Sequence, residues 1–245
     1  MNITDILPVL ATTWPSAETR SVGPFTVPSP DPGGNRVSAA RLTDPTARSV
    51  SEEALADAAA AMVAEGRAPL FQVLDTQAPL NAILDAQGYA ARDHTVAMVI
   101  PAADLAATPP PVTAFDIWPP LAIQTEIWDA GGVTAPRRAI MERADCPKTA
   151  LFGRVIDKPA GVAYVGIHGE IAMLHALEVA PVARRKGMGV HMMRTAAKWA
   201  ADNGATWLSI LVTQQNKGAQ RLYTSLGMQP VGTYVYREKV GGTAQ

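Results

Sequence analysis

The sequence predicts a mixed α/β protein built from two similar halves, and three observations carry that reading. First, a continuous apolar strand from Ile171 to Val179 runs through a basic, glycine-containing loop into a helix. Second, the order helix, strand, helix, glycine, strand occurs twice, once between residues 51 and 100 and again between 190 and 237. Third, the stretch Ala107-Thr108-Pro109-Pro110-Pro111-Val112 divides the chain into parts of similar length and reads as an extended linker.

In the N-terminal half, Ser51 caps an alanine-rich helix that runs to Glu65. Leu70 to Leu74 reads as a strand. A helix from Pro79 to Gln87 stops at Gly88, and His94 to Ile100 forms the next strand. Asp31-Pro32-Gly33-Gly34-Asn35-Arg36 is glycine-rich and basic, and reads as a hairpin loop in preference to a ligand-binding one. In the C-terminal half, amphipathic patterns cover Leu121 to Ala130 and Arg137 to Arg143. Two strands follow, Thr149 to Ile156 and Val162 to Ile167, joined by a turn at Asp157-Lys158-Pro159-Ala160-Gly161. The helix from Val190 to Asn203 turns Met192, Met193, Ala196 and Ala197 to the core, and Gly204 ends it. Trp207 to Val212 is a strand. Asn216 caps a helix with Ala219, Leu222, Tyr223 and Leu226 on one face, and Val231 to Arg237 closes the sheet.

Composition is that of an ordinary globular protein: 48% hydrophobic, 18% charged, net charge −1 over 245 residues. No basic excess points to nucleic acid, and no apolar run nears the roughly 20 residues that span a bilayer. The N-terminus lacks a basic leader, so a cytoplasmic protein is expected. The single cysteine, Cys146, rules out an internal disulfide and any cysteine metal cluster. His94, His168, His175 and His191 have no ligand spacing, so no metal is expected.

The loop Arg184-Arg185-Lys186-Gly187-Met188-Gly189-Val190 reads as an anion cradle. Gly187 and Gly189 let backbone N–H groups approach a ligand, the helix start adds its unpaired donors, and three cations add charge. A dinucleotide fingerprint needs a third glycine where Met192 stands, and a P-loop's Gly-Lys-Ser/Thr is absent. What stands here, Arg-x-x-Gly-x-Gly after a strand, resembles the acyl-CoA signature of the GNAT superfamily of N-acyltransferases. Asn216-Lys217-Gly218-Ala219-Gln220-Arg221-Leu222-Tyr223 with Leu226-Gly227-Met228 resembles the following helix of the same superfamily. The resemblance implies a central, mostly antiparallel sheet flanked by helices, in two tandem copies. Residues 1–106 would be a degenerate copy without a cofactor site, 107–120 a linker, and 121–245 the catalytic domain. It also implies an acetyl-CoA donor, a small-molecule amine or peptide acceptor, and a monomer or homodimer.

By the same resemblance, Tyr223 stands near the CoA sulfur as general acid, and Asn216 contacts the pantetheine arm. The backbone of Leu177 and Val179 pairs with the pantetheine amides and supplies an oxyanion donor. Arg184, Arg185, Lys186, Gly187, Met188, Gly189 and Val190 hold the pyrophosphate. Tyr223 also reads as a core tyrosine, and Asn216 as a simple helix cap. Amine acylation needs a base, because an alkyl ammonium has a pKa near about 10.4 and only the neutral amine attacks. The superfamily's usual glutamate positions hold Met173 and Leu211 here. That leaves Glu178, which also reads as a solvated strand-end carboxylate, and His175, which also reads as a buried structural histidine. Trp14, Trp118 and Trp128 could line an acceptor groove or simply pack. A non-catalytic acyl-CoA-binding module is the alternative function; it would share the cradle and differ at Tyr223 and the base.

Overall fold

The computed structural model describes residues 1–239. In chain order the elements are α1 (Ile3–Thr13), β1 (Thr19–Val22), β2 (Phe25–Pro28), α2 (Asn35–Ser38), β3 (Arg41–Leu42), α3 (Glu52–Ala64), β4 (Leu70–Leu74), α4 (Ala78–Ala86), β5 (Tyr89–Pro101), α5 (Ala102–Leu105) and β6 (Ala114–Ile117), then α6 (Ala122–Ala130), α7 (Ala135–Arg143), β7 (Lys148–Val155), β8 (Lys158–His168), β9 (Ile171–Val179), α8 (Met188–Asp202), β10 (Trp207–Thr213), α9 (Lys217–Ser225) and β11 (Gln229–Lys239). The mixed α/β reading holds. So does the repeated order, with α3, β4, α4 and β5 matching α8, β10, α9 and β11.

An eight-stranded sheet runs β4-β11-β5-β10-β9-β8-β7-β6. Its pairs are antiparallel except β9 with β10. A second sheet, β1-β2-β3, meets the first through one parallel bridge, Ala40 to Phe71 on β4. The β3–β4 junction therefore repeats the parallel β9–β10 junction, one in each half.

The final strand does not close the sheet of its own half. β5, from the N-terminal half, lies between β10 and β11, and β11 reaches across to pair with β4. Each half thus lends its last strand to the other, about a pseudo-twofold axis between β5 and β11. The linker expectation also needs correction, because Ala114–Ile117 within it forms β6 and pairs with β7 at the sheet edge.

Strand alternation splits the core into two faces. On one, α8 lays Met192, Met193, Ala196, Ala197 and Ala200 over Leu151, Val165, Leu174 and Leu208. On the other, α1, α6 and α7 cover Phe152, Val162, Tyr164 and Met173 with Ile6, Trp128, Ile140 and Met141. The N-terminal half has its own cluster around Phe25, Leu55, Phe71, Leu80 and Leu84. Glycines bring α8 close to the sheet: a Cβ on Gly153 would stand 2.4 Å from the Met188 sulfur.

Helix α1 has a reciprocal cap that the sequence reading missed. The Asn2 side chain accepts from the Thr4 N–H at 2.8 Å, and the Asp5 carboxylate accepts from the Asn2 N–H at 2.8 Å. Although it opens the N-terminal half, α1 packs on β8 and β9 of the C-terminal half.

Residues 107–245 expressed alone would lack the strand between β10 and β11 and leave two long edges unpaired. That fragment should show no cooperative thermal transition. Co-expression with residues 1–106 should restore one and copurify both pieces, which circular dichroism and affinity pull-down would check.

Candidate active site

The central strand β9 carries an irregularity on which the site is built. Val162 pairs with Glu178 and Tyr164 with His175, so β9 has one more residue than β8 in that interval. Ala176 there adopts φ of 49°, a left-handed conformation that costs a non-glycine residue about 1–3 kcal/mol unless its surroundings hold it. Trp128, fully buried at the end of α6, donates its indole N–H to the Ala176 carbonyl at 2.9 Å. The same point is where β9 leaves its neighbour. Pairing with β10 covers only Ile171 to Leu174, while β10 continues beside β5 to Thr213.

Beyond the bulge the open edge of β9 faces a cleft of about 900 Å³. The Ala180 N–H donates to Ala160 on the β8 side, so by strand alternation the N–H groups of Leu177 and Val179 point to the open edge. Opposite lies the start of α8. Val190 and His191 both donate to the Gly187 carbonyl, which leaves the N–H groups of Met188 and Gly189 as free first-turn donors. Gly187 caps the helix at φ of 80°, where a side chain would be strained. Gly189 has a different reason for being glycine. A Cβ there would meet Leu222 at 3.0 Å, so its absence lets α9 approach α8 and bring Tyr223 to the cleft.

The cleft brings together Leu177, Glu178, Val179, Arg184, Arg185, Gly187, Met188, Gly189, Val190, Asn216 and Tyr223. Their parts differ from residue to residue. Met188 lines the cleft through backbone, since its side chain is buried against Gly153 and Gly161. Arg184 donates Nε–H to the Val179 carbonyl at 3.0 Å, so it also closes the end of β9. Asn216 caps α9, accepting from the Ala219 N–H at 3.0 Å, and lines the cleft as well. Lys186 is exposed and does not line the cleft.

His175 stands apart from the cleft on the far face of β9. Its ring is 2% exposed and stacks on Trp14 with centroids 4.8 Å apart. The Thr13 hydroxyl donates to the Val9 carbonyl, so it must accept the His175 Nε2–H across 2.8 Å. Burial, with the charges of Arg36 and Arg137, holds His175 well below its ordinary pKa. It is a neutral packing residue pinned to α1, and the expectation of a cleft base fails for it. Cys146 also lies outside the cleft, and burial raises its thiol pKa.

Glu178 and Tyr223 remain as the titratable pair in the cleft. Burial raises Glu178 above its ordinary value, against the pull of Arg184 and Arg137. Burial pushes the Tyr223 hydroxyl up to about 12, and the charge of Glu178 adds to it. Gly131, at the end of α6, makes room for Glu178: a Cβ there would stand 2.7 Å from the Glu178 carboxyl carbon. Of the superfamily's usual base positions, Met173 lies in the apolar core and Leu211 packs half-buried against it.

Sequence reading missed Arg221 and Ser225 in the cleft wall. A helical wheel finds them, because Gly218, Arg221, Leu222 and Ser225 share one stripe of α9. It missed Arg137 too, whose approach to Glu178 depends on how α7 packs. Among the described residues no group of three or more His, Cys, Asp or Glu could hold a metal ion. No helix among them is long and apolar enough to cross a membrane.

Comparison with known proteins gives this geometry a family context. Residues 116–228 match the acetyltransferase (GNAT) family. An uncharacterized N-acetyltransferase of Bacillus subtilis, YobR, is 32% identical over 102 residues, covering 41% of this chain and 40% of that protein. The match thus spans well under half of that relative. A GCN5-related N-acetyltransferase from Kribbella flavida superposes on 100% of this chain and 97% of its own at a TM-score of 0.77 and 20% identity. A tandem GNAT protein from the clavulanic acid biosynthesis pathway, determined without AcCoA, superposes on 96% of this chain and 88% of its own, with TM-score 0.59 and 14% identity. Both structural likenesses speak to the fold.

Replacing Trp128 with Phe removes the donor that holds the Ala176 carbonyl and leaves a buried acceptor unpaired. Urea denaturation should report a loss of about 1–3 kcal/mol.

Proposed function

From the match of residues 116–228 to the GNAT acetyltransferase family, we propose that this chain transfers an acyl group, acetyl in the first instance, from acyl-CoA directly to a primary amine. The observation that carries it is the convergence of four features on one cleft: the free edge of β9, the open first turn of α8, Glu178 and Tyr223.

Each feature has a task. The N–H groups of Met188 and Gly189 take the pyrophosphate, with Arg185 and Arg221 adding charge at the rim. The edge of β9 at Leu177 and Val179 pairs with the amides of the pantetheine arm as an added strand would. One of those N–H groups faces the thioester oxygen and stabilises the tetrahedral oxyanion. Glu178, kept basic by its raised pKa, removes a proton from the acceptor ammonium. The amine nitrogen then bonds to the thioester carbon and the carbon–sulfur bond breaks. The Tyr223 hydroxyl, protonated at any ordinary pH, gives its proton to the departing sulfur. The resulting phenolate is a strong base and recovers a proton from solvent or from the Glu178 carboxylic acid. Holding both substrates in line supplies much of the remaining rate.

Calorimetric titration with acetyl-CoA tests the reading first. Wild type should bind, and an Arg185→Glu/Arg221→Glu double variant should bind at least about tenfold more weakly, because both side chains are exposed and their charge is the change. Failure of folded wild type to bind would overturn it. With donor and acceptor in hand, Tyr223→Phe should lower kcat about 100-fold or more while the acetyl-CoA Kd stays put. The pH profile follows from Glu178. It works as the carboxylate, so kcat/KM should fall as pH drops through a value above the ordinary carboxylate range. Glu178→Gln should lower the rate and flatten that acid limb.

A further inference from the structure

A second cavity, of about 230 Å³, is lined wholly by the N-terminal half, beside the face of α1 that packs on β8 and β9. Its apolar wall comes from the end of α1 and the residues after it, Leu10 and Trp14 among them, and its polar wall from Arg36, Arg41 and Gln72. The charge in this wall has one sign. Among the described residues, none of Arg36, Arg41 and Arg137 forms an ion pair. The carboxylates flanking Arg36 are engaged elsewhere: Asp31 binds Arg143 at 2.5 Å and Asp93 accepts from the Asn35 amide at 3.0 Å. Gln72 is 6% exposed, lines the cavity and leaves its Nε2 without a hydrogen-bond partner. The hydroxyls of Tyr234 and Tyr236, on β11, lie beside Arg36.

Arg137 lines neither the cavity nor the cleft, but it feels charged groups of both. It is within electrostatic reach of Arg36 on one side and Glu178 on the other, and its own Nε is buried without a partner. Burial and the charge of Arg36 both push its guanidinium below the ordinary value. Tyr234 and Tyr236 support the Arg36 cation and raise its pKa, while burial lowers that of Arg41, which has no carboxylate partner among the described residues. Two guanidinium groups and the unpaired Gln72 amide on one wall of a small space suit a planar oxyanion, which a guanidinium grips in bidentate fashion.

We infer that this cavity receives a carboxylate of the acyl acceptor, so that the substrate is a small amino acid-like molecule whose amine reaches Glu178 while its carboxylate sits among Arg36, Arg41 and Gln72. The inference rests on the acyl-transfer reading of the cleft and narrows it. Charge orients the substrate: Glu178 draws the ammonium end and the arginines draw the acid end. A space of about 230 Å³ suits a small molecule better than a peptide. The sequence reading had treated the Gly33-Gly34 segment as a hairpin. It instead leads into α2 and presents Arg36, because a Cβ on Gly33 would stand 2.4 Å from Ile140 of α7 and only glycine permits that approach.

The test pairs acids with the amines left when their carboxylate is removed, lysine against cadaverine and β-alanine against ethylamine, and follows thiol release from acetyl-CoA. In parallel, glutamate, lysine and succinate are titrated calorimetrically into the enzyme without acetyl-CoA. The acids should exceed their decarboxylated partners by at least about tenfold in kcat/KM. Arg36→Met and Gln72→Leu should erase that preference through KM while leaving the acetyl-CoA Kd unchanged, and Arg36→Lys should restore part of it. Equal turnover of acids and plain amines would overturn the inference, as would a preference that survives in folded variants. Should acetyl-CoA not bind at all, the acyl-transfer reading falls, and the carboxylate titration still decides the site. Binding lost in Arg36→Met would uphold an oxyanion site there, and no binding of any carboxylate would overturn it.

Discussion

A single hydrogen bond, from the Trp128 indole to the Ala176 carbonyl, holds the kink on which the cleft depends. Ala176 would not stay left-handed without such support, and without the kink β9 would continue beside β10 past Leu174. The edge would then be paired and closed to any ligand. With the kink in place, the N–H groups of Leu177 and Val179 are exposed to the cleft, and Glu178 turns into the space left by Gly131. The tryptophan comes from α6, a helix on the face opposite α8. The cleft is thus shaped from behind, by an element that contributes no wall to it.

Much of this was legible in the sequence, and the failures have physical causes. The strands Leu70–Leu74 and Ile171–Val179 were readable to the residue, because an apolar run bounded by turn residues is a local signal. The place of Gly187 at the start of α8 was legible for a similar reason, since it answers to backbone geometry within one loop. Lys186 was grouped with its neighbours because charge in sequence does not tell which way a side chain leaves a loop. His175 was attractive as a lone titratable residue in an apolar strand. Its neutrality comes from burial under α1, against Thr13 and Trp14, and from the charges of Arg36 and Arg137, all distant in the chain. Gly33 misled in the same way: a glycine pair reads as a turn, while the constraint here is the approach of Ile140 from another element. The exchange of β5 and β11 could not be read at all, since an alternating pattern shows that a strand has neighbours without showing which.

The two halves share an element order and differ in what fills it. Leu84, fully buried, stands four residues before Gly88, as Tyr223 stands four before Gly227. One copy keeps a hydroxyl at a cleft and the other an isobutyl group in a core. The N-terminal half has taken up other work: α1 covers β9 from behind, and the loop into α2 brings Arg36 toward the same strand.

The crossed strands also bear on how the chain comes off the ribosome. β5 lies between two partners, β10 and β11, and every residue of both is synthesised more than a hundred positions after β5 ends. Translation therefore produces an N-terminal half whose last strand has no ladder to join and whose β4 lacks its partner β11. Until the final strand emerges, both edges stay open to wrong pairings, and the closing event is a long-range one of the slow kind. A sheet that joins its halves so tightly once finished thus obliges the nascent protein to wait for β11 before either half is complete.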